Sequence, residues 1–567
     1  MSRILILALI ATVARTPVSA DSPAPDCASA LCGAVASGIV ASLRWPVFSD
    51  YRTRVEKFYE PTKYDFAWIR SSTATDQAKA IIEVFNGADA KGLNAEDYDG
   101  SRWADRLARL RYADHPALES AAAEFDLALT VSIMRYVSDL HFGRANPGIF
   151  RTRLDLAQER FDVAGFVRKH LVEATDVQAA LEGIEPPYEG YRRTERALQQ
   201  YIAMAREKQV GPLPVKKKSV DPGKSYDRAT DLANLLRRLG DLPSDVTVPV
   251  DSNVYDGALV DAVKRFQMRH GLDPDGRLGK ATFNQLNTPL RRRVLQLQLT
   301  LERWRWVPYG FPQPPLVVNI PEFVLRAVND SYQTDLEMKV VVGKAYHHQT
   351  PVFAAEMNRV VFRPYWNVPL SIQRAELVPK LERDPAYLAK NHYEVVTPQN
   401  TVVTNGIIDQ TTLEQLRSGK LQIRQVPGPE NALGLVAFRF PNEYDVYLHA
   451  TPATELFAKS RRDFSHGCVR AEKPQQLAAW VLRNQSGWNA ERIADTMNGT
   501  TTVHVNLDQP IPVLIVYATA VVLANGEVRF FDDIYGQDAE LEALLAKGYP
   551  RPAEKPTSAG RALHPRE

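Results

Sequence analysis

The chain has 567 residues, of which 45% are hydrophobic and 24% charged. That length is too great for one hydrophobic core, and at ordinary globular composition it predicts about three or four domains. Lys and Arg number 69 against 67 Asp and Glu, a net charge of +2, so the chain lacks the basic field that nucleic-acid binding needs.

Residues 1–20 read as a secretory signal. Arg3 supplies a small positive end, residues 4–14 an apolar run, and Val18-Ser19-Ala20 a small-residue cleavage site. The run is short for a membrane span, so export leaves no transmembrane segment; retention as an anchor is the weaker alternative. Cys27 and Cys32 either close a small loop or remain unpaired, and Cys468 is the odd thiol of an exported chain.

Residues 21–210 read as a helical scaffold domain. Ile81, Ile82 and Phe85 recur at helical spacing, as do Leu127, Val131 and Met134 within 116–140 and Leu198, Ile202 and Ala205 within 192–207. No nucleophile and base face each other there. Residues 211–228 read as a Pro- and Lys-containing linker. Residues 229–288 predict three short helices with turns at 273–279, and 289–312 a connecting helix with Trp304 and Trp306 as core anchors.

From residue 313 the texture turns to short β segments, at 316–320, 325–329, 337–342 and 360–362. The domain is expected to run to 535. Within it, 371–425 is a long polar insertion, which in a compact domain is a functional lid or a subdomain. Strands resume at 434–440 and 445–449. After Cys468, helices are expected from Pro474 and at 489–497, then strands at 502–506 and 513–523 and a hairpin at Asn525-Gly526. Residues 536–567 read as a tail, disordered beyond Gly548.

The chemistry concentrates at 444–472. Alternation puts Tyr447 and His449 on one face of a strand, and Cys468 follows the tight turn Ser465-His466-Gly467. A thiol ionises poorly at neutral pH and needs an adjacent base, so His449 is the candidate acid/base for a Cys468 nucleophile. Gly467 permits close backbone approach, and the N–H groups of Gly467 and Cys468 are candidate oxyanion donors. His466 either stabilises the turn or lines the site. Arg470 pairs either with a substrate carboxylate or with a structural partner. Tyr447, Tyr365, Trp366 and Asn367 are candidate pocket walls, Trp366 equally a core residue. His347 and His348 are adjacent and lack chelating spacing, and no phosphate loop or dinucleotide fingerprint occurs, so neither metal nor cofactor is expected.

His449 followed by Ser465-His466-Gly467-Cys468-Val469-Arg470 resembles the signature of the YkuD-type L,D-transpeptidases, cysteine enzymes of bacterial cell-wall crosslinking. The likeness extends to 317–319, to MKVVVG at 338–343, TPVF at 350–353, PYWNVPLSI at 364–372 and PGPENALG at 427–434. AVKRFQMRHGL and DGRLGKATFNQLN resemble a three-helix peptidoglycan-binding domain, although a plain bundle that binds nothing would share the pattern. The whole resembles the large YcbB-like subclass. The resemblance implies a multidomain α+β fold: helical scaffold domain, three-helix peptidoglycan-binding domain, and mostly-β catalytic domain with an inserted lid. It implies that Ala450 contributes the backbone carbonyl orienting His449, and that the enzyme is periplasmic, carbapenem-sensitive and active on peptidoglycan stem peptides, with other cell-wall enzymes as partners of its scaffold. Two other readings stay open: a wall hydrolase or carboxypeptidase using the same Cys–His site, and a non-catalytic wall-binding scaffold.

Overall fold

The structure, a computed structural model, describes residues 29–112, 115–150, 161–207, 211–216, 218–247, 253–384 and 386–549. Two compact units emerge. The first comprises Met1–Phe85, Glu96–Arg135 and Val163–Ala180; the second comprises Asn86–Ala95, Tyr136–Asp162 and Leu181–Glu567. The residues read as one scaffold domain are therefore shared between them. The signal segment 1–20 and Cys27 lie outside the described residues; Cys32 is disulfide-bonded. No helix among the described residues is long and apolar enough to cross a membrane.

The first unit is helical. In helix Asp76–Asn86, Ala78, Ile81, Ile82 and Phe85 form the buried stripe. The Phe85 ring lies 5.7 Å from Tyr98 and 5.8 Å from Trp103. The buried Asp126 carboxylate accepts from Tyr59 Oη at 2.7 Å and from the Ala67 and Trp68 N–H groups, which meets the cost of burying it.

In the second unit, helices Glu189–Arg206 and Leu290–Trp304 share a core of Tyr191, Leu198, Leu297 and Leu301. Trp306 is buried with them, and Trp304 packs at its edge. Helices Ala229–Arg238, Gly257–Arg269 and Lys280–Leu286 form the expected three-helix unit. It also takes in most of the expected linker. Leu213 and Tyr226 are buried in its core, Val220 bridges to Leu278, and Lys224–Ser225 pairs with Val254–Tyr255. Scattered apolar residues between lysines and prolines had no periodicity to reveal this.

The mostly-β part is a nine-stranded sheet. Strand Thr334–Gly343 pairs with Val324–Val328 along its first half and with Val469–Ala471 and Asp463–Ser465 along its second, which closes the sheet on itself. The two strands expected at 502–506 and 513–523 are instead one long strand, Val503–Val516, followed by Ala520–Val522; a register shift between Asn506 and Ile511 interrupts its pairing with Phe353–Phe362. Val360, Phe362, Val436, Phe438, Leu448 and Val469 fill the core.

The lid is a subdomain with its own core, including Val368, Leu377, Val395, Leu416 and Ile423. Its four-stranded sheet includes Trp366–Asn367 paired with Gln422–Gln425, so it begins ahead of residue 371. A π-helical turn, Gln373–Leu377, enters helix Val378–Arg383. Buried Gln373 there donates to the Leu416 and Leu421 carbonyls and accepts from Ile423 N–H, tying the turn to the sheet. Beyond the mostly-β part, Gln537–Leu545 is a helix with Leu541 buried, and the Tyr549 hydroxyl bonds Asp139; residues 550–567 lie outside the described residues.

Candidate active site

Strand Leu448–His449 runs parallel to Val469–Ala471, with Leu448 opposite Val469 and His449 opposite Arg470. The Val469 N–H donates to the Tyr447 carbonyl at 3.1 Å. This pairing brings the turn that carries Cys468 against the end of the histidine strand, across the gap in sequence.

His449 is buried, and its Nδ1 lies 2.5 Å from the Ala450 carbonyl oxygen. A carbonyl only accepts, so Nδ1 carries the proton and Nε2 keeps its lone pair. Burial and then the Arg470 charge push the imidazole down to about 3, while bonds to the Ala450 and Leu433 carbonyls pull the other way. Burial pushes the Cys468 thiol up to about 11, opposed chiefly by a hydrogen bond from the Tyr447 backbone. Both partners are therefore neutral at physiological pH. The thiol points at the Asp445 carbonyl, 3.8 Å away, and its hydrogen-bond partner in this resting state is that carbonyl.

The turn is held from beneath. Ser465 Oγ donates to the Cys468 carbonyl at 2.6 Å and accepts from Gly467 N–H at 3.1 Å. Gly467 has φ 120°, a conformation that favours glycine, and a Cβ there would meet nothing closer than 4.0 Å; backbone geometry sets the residue, not space. Of the two expected oxyanion donors, the Gly467 N–H is thus engaged by Ser465, while the Cys468 N–H has no partner among the described residues. Thr350 Oγ1 donates to the Gly467 carbonyl at 2.7 Å and accepts from Gly343 N–H at 2.9 Å. Tyr535 Oη donates to the Gly343 carbonyl and accepts from Thr350 N–H. A Cβ on Gly343 would lie 1.9 Å from the His348 carbonyl, so this crossing tolerates only glycine.

His466 faces the lid. Its Nε2 lies 2.6 Å from Glu376 Oε1 on the π-helical turn of the lid, and its ring packs 4.7 Å from His348. Arg470 has no ion pair among the described residues, and its buried Nε has no hydrogen-bond partner. Tyr447 lies beside His449, ring centroids 5.7 Å apart, with the Arg439 guanidinium 3.7 Å over its ring. Tyr365 stacks under Arg424, and Trp366 and Asn367 belong to the lid sheet, with Trp366 packed against both cores. Tyr365 and Asn367 are exposed there. Sequence reasoning missed Ser465, Thr350, Tyr535, Asp445 and Glu376 as supports of the site. Ser465 and Thr350 stood inside the motif-like runs; Tyr535, remote in sequence, carried no local signal.

Residues 314–505 match the family model of the L,D-transpeptidase catalytic domain (YkuD), residues 225–286 that of a "Putative peptidoglycan binding domain", and residues 53–198 that of a scaffold domain. Together the three matches agree with the multidomain architecture of the YcbB-like L,D-transpeptidases. A protein of Haemophilus influenzae described as "Putative L,D-transpeptidase" is 34% identical over 239 residues, covering 41% of this chain and 47% of that protein. The chain thus spans about half the length of this curated relative. Two solved structures are also similar: an L,D-transpeptidase from Xylanimonas cellulosilytica, at 13% identity and TM-score 0.16, covering 54% of this chain and 100% of that one, and an L,D-transpeptidase from Stackebrandtia nassauensis, at 14% identity and TM-score 0.19, covering 54% and 97%.

Proposed function

We propose that the protein is an exported peptidoglycan L,D-transpeptidase working through a Cys468 thioester. The observation that carries this reading is the fixed His449 tautomer, with Nδ1 held by the Ala450 carbonyl and Nε2 left as a base on the strand beside the Cys468 turn. Cys468 Sγ leaves its contact with Asp445, attacks the carbonyl of the L-centre in a donor stem, and passes its proton to His449 Nε2. The C–N bond to the terminal D-amino acid breaks, and His449 returns the proton to the departing amine. An amine of a second stem then attacks the thioester, an amide forms, and Cys468 recovers its proton. The Cys468 N–H serves the oxyanion; Gly467 contributes the conformation that exposes it and its own N–H once Ser465 releases it.

Residues 225–286 hold the enzyme on the wall, the lid excludes water from the thioester, and a periplasmic site of action, a role in cell shape and acylation by carbapenems follow from the same reading. Incubation with purified tetrapeptide-stem muropeptides, followed by product masses, tests it: crosslinked dimers are expected. Trimmed stems alone would make water the acceptor, and no product would support a binding scaffold.

A further inference from the structure

The face of the sheet that carries His449 also carries a row of arginines outside the Cys–His pair. Val360, Phe362, Val436, Phe438, Leu448 and Val469 point into the core. Alternation along each strand therefore puts Arg359, Arg439, His449 and Arg470 on the opposite face. Arg439 stands directly opposite Arg359 across an antiparallel pair, Ala437 opposite His449, and His449 opposite Arg470. Directly opposed residues hold their Cβ atoms about 5 Å apart, and like charges there are destabilising.

Several arginines elsewhere in this region are neutralised, Arg326 by Glu322, Arg424 by Glu394 and Arg461 by Asp463, while buried Arg462 is held by the Val340, Lys459 and Phe323 carbonyls. Among the described residues, Arg359, Arg439 and Arg470 have no carboxylate within ion-pair distance. Glu455 acts on Arg470 only at longer range. The buried Nε of Arg470 is unsatisfied, and the Arg439 guanidinium lies 3.7 Å over the Tyr447 ring and hydrogen-bonds that side chain, which positions it beside the Cys468 turn. Tyr447 in turn is the residue whose backbone contacts the Cys468 turn. An arrangement that sets two like charges opposite each other and leaves the buried Arg470 Nε unpaired is expected where a ligand completes it.

We propose that Arg359 and Arg439, together with Arg470, form a carboxylate-binding row that seats an acidic peptide beside Cys468 and so selects anionic acyl donors. This rests on the transpeptidase reading and names the donor feature it recognises. Amidation of the donor's side-chain carboxylates removes the charge with little change in shape, so amidated and free-acid donors are the discriminating pair.

The test is calorimetric binding of free-acid and amidated stem tetrapeptides to full-length Cys468→Ala, alone and with Arg359→Gln or Arg439→Gln. The row predicts that the free acid binds at least about 10-fold tighter than the amide, and that each Gln variant removes most of that preference while leaving binding of the amide unchanged. Arg439→Lys should recover part of it. Equal binding of the two peptides, or equal weakening of both by the Gln variants, overturns the proposal. Because the readout is binding, it stands apart from catalysis: dimer formation by the wild type with no free-acid preference refutes the row alone, whereas a free-acid preference without turnover refutes the transpeptidase reading alone.

Discussion

The Nδ1 atom of His449 lies 2.5 Å from the carbonyl oxygen of Ala450, the next residue in the chain. A carbonyl orients the ring as a carboxylate would, but it offers no countercharge to an imidazolium. With burial and the Arg470 charge acting the same way, the ring stays neutral down to about 3, and the thiol stays protonated up to about 11. The pair is a neutral base and a neutral acid, not a preformed ion pair.

The rate of Cys468 acylation should therefore be flat between about pH 5 and pH 9, since neither group titrates in that range. Stopped-flow acylation by a β-lactam measures it. A limb centred near the ordinary imidazole value of 6.5 would show that His449 is not held as described.

Alkylation of the resting thiol should be slow. A shift from 9.0 to about 11 lowers the thiolate fraction about 100-fold. The more basic thiolate recovers about 10-fold in nucleophilicity, so iodoacetamide should react about 10-fold more slowly with the native protein than with an unperturbed thiol. Parity with the denatured chain at pH 8 would contradict the geometry.

The same burial sets an acid limit on stability. The folded-state value of His449 lies below its ordinary value, so the unfolded chain takes up a proton that the folded one refuses, and stability falls as pH drops from 6.5 towards about 3. Between pH 7 and pH 5 the loss should be about 2 kcal/mol relative to His449→Gln, which has no such titration. Denaturant melts of the two proteins at both pH values give the number; a constant difference between them would rule the burial effect out.

The two histidines should separate cleanly. His449→Ala should slow acylation by about 10²–10⁴-fold. His466→Ala should cost less, because His466 faces Glu376 of the lid. Ser465→Ala should lie between them: it frees the Gly467 N–H and the Cys468 carbonyl from their shared bridge, at about 1–3 kcal/mol of stability, and loosens the nucleophile. Single-turnover acylation rates of the three variants rank them, and a rate for His466→Ala below that of His449→Ala would exchange the two roles.

What the sequence made legible was local. Period-two alternation put Tyr447 and His449 on one face, and the Ser-His-Gly-Cys turn marked Cys468 as a candidate, because both depend on neighbours within a few residues. Helices such as Asp76–Asn86 were readable from Ile81, Ile82 and Phe85 for the same reason. What escaped depends on pairing across long stretches. Thr350 and Tyr535 meet under the Cys468 turn only because the sheet closes. The opposition of Arg359 and Arg439 exists only in the strand register. Leu213 and Tyr226 looked like linker residues until a partner surface was present to bury them.

The central claim is that Cys468 carries the acyl group. Intact-mass spectrometry of the full chain, quenched during reaction with a stem tetrapeptide donor, addresses it directly. The account predicts a single adduct equal to the donor less its terminal D-amino acid, on the wild type and absent from Cys468→Ala, with the free D-amino acid released alongside. An adduct on Cys468→Ala, or crosslinked product made by that variant, would contradict it.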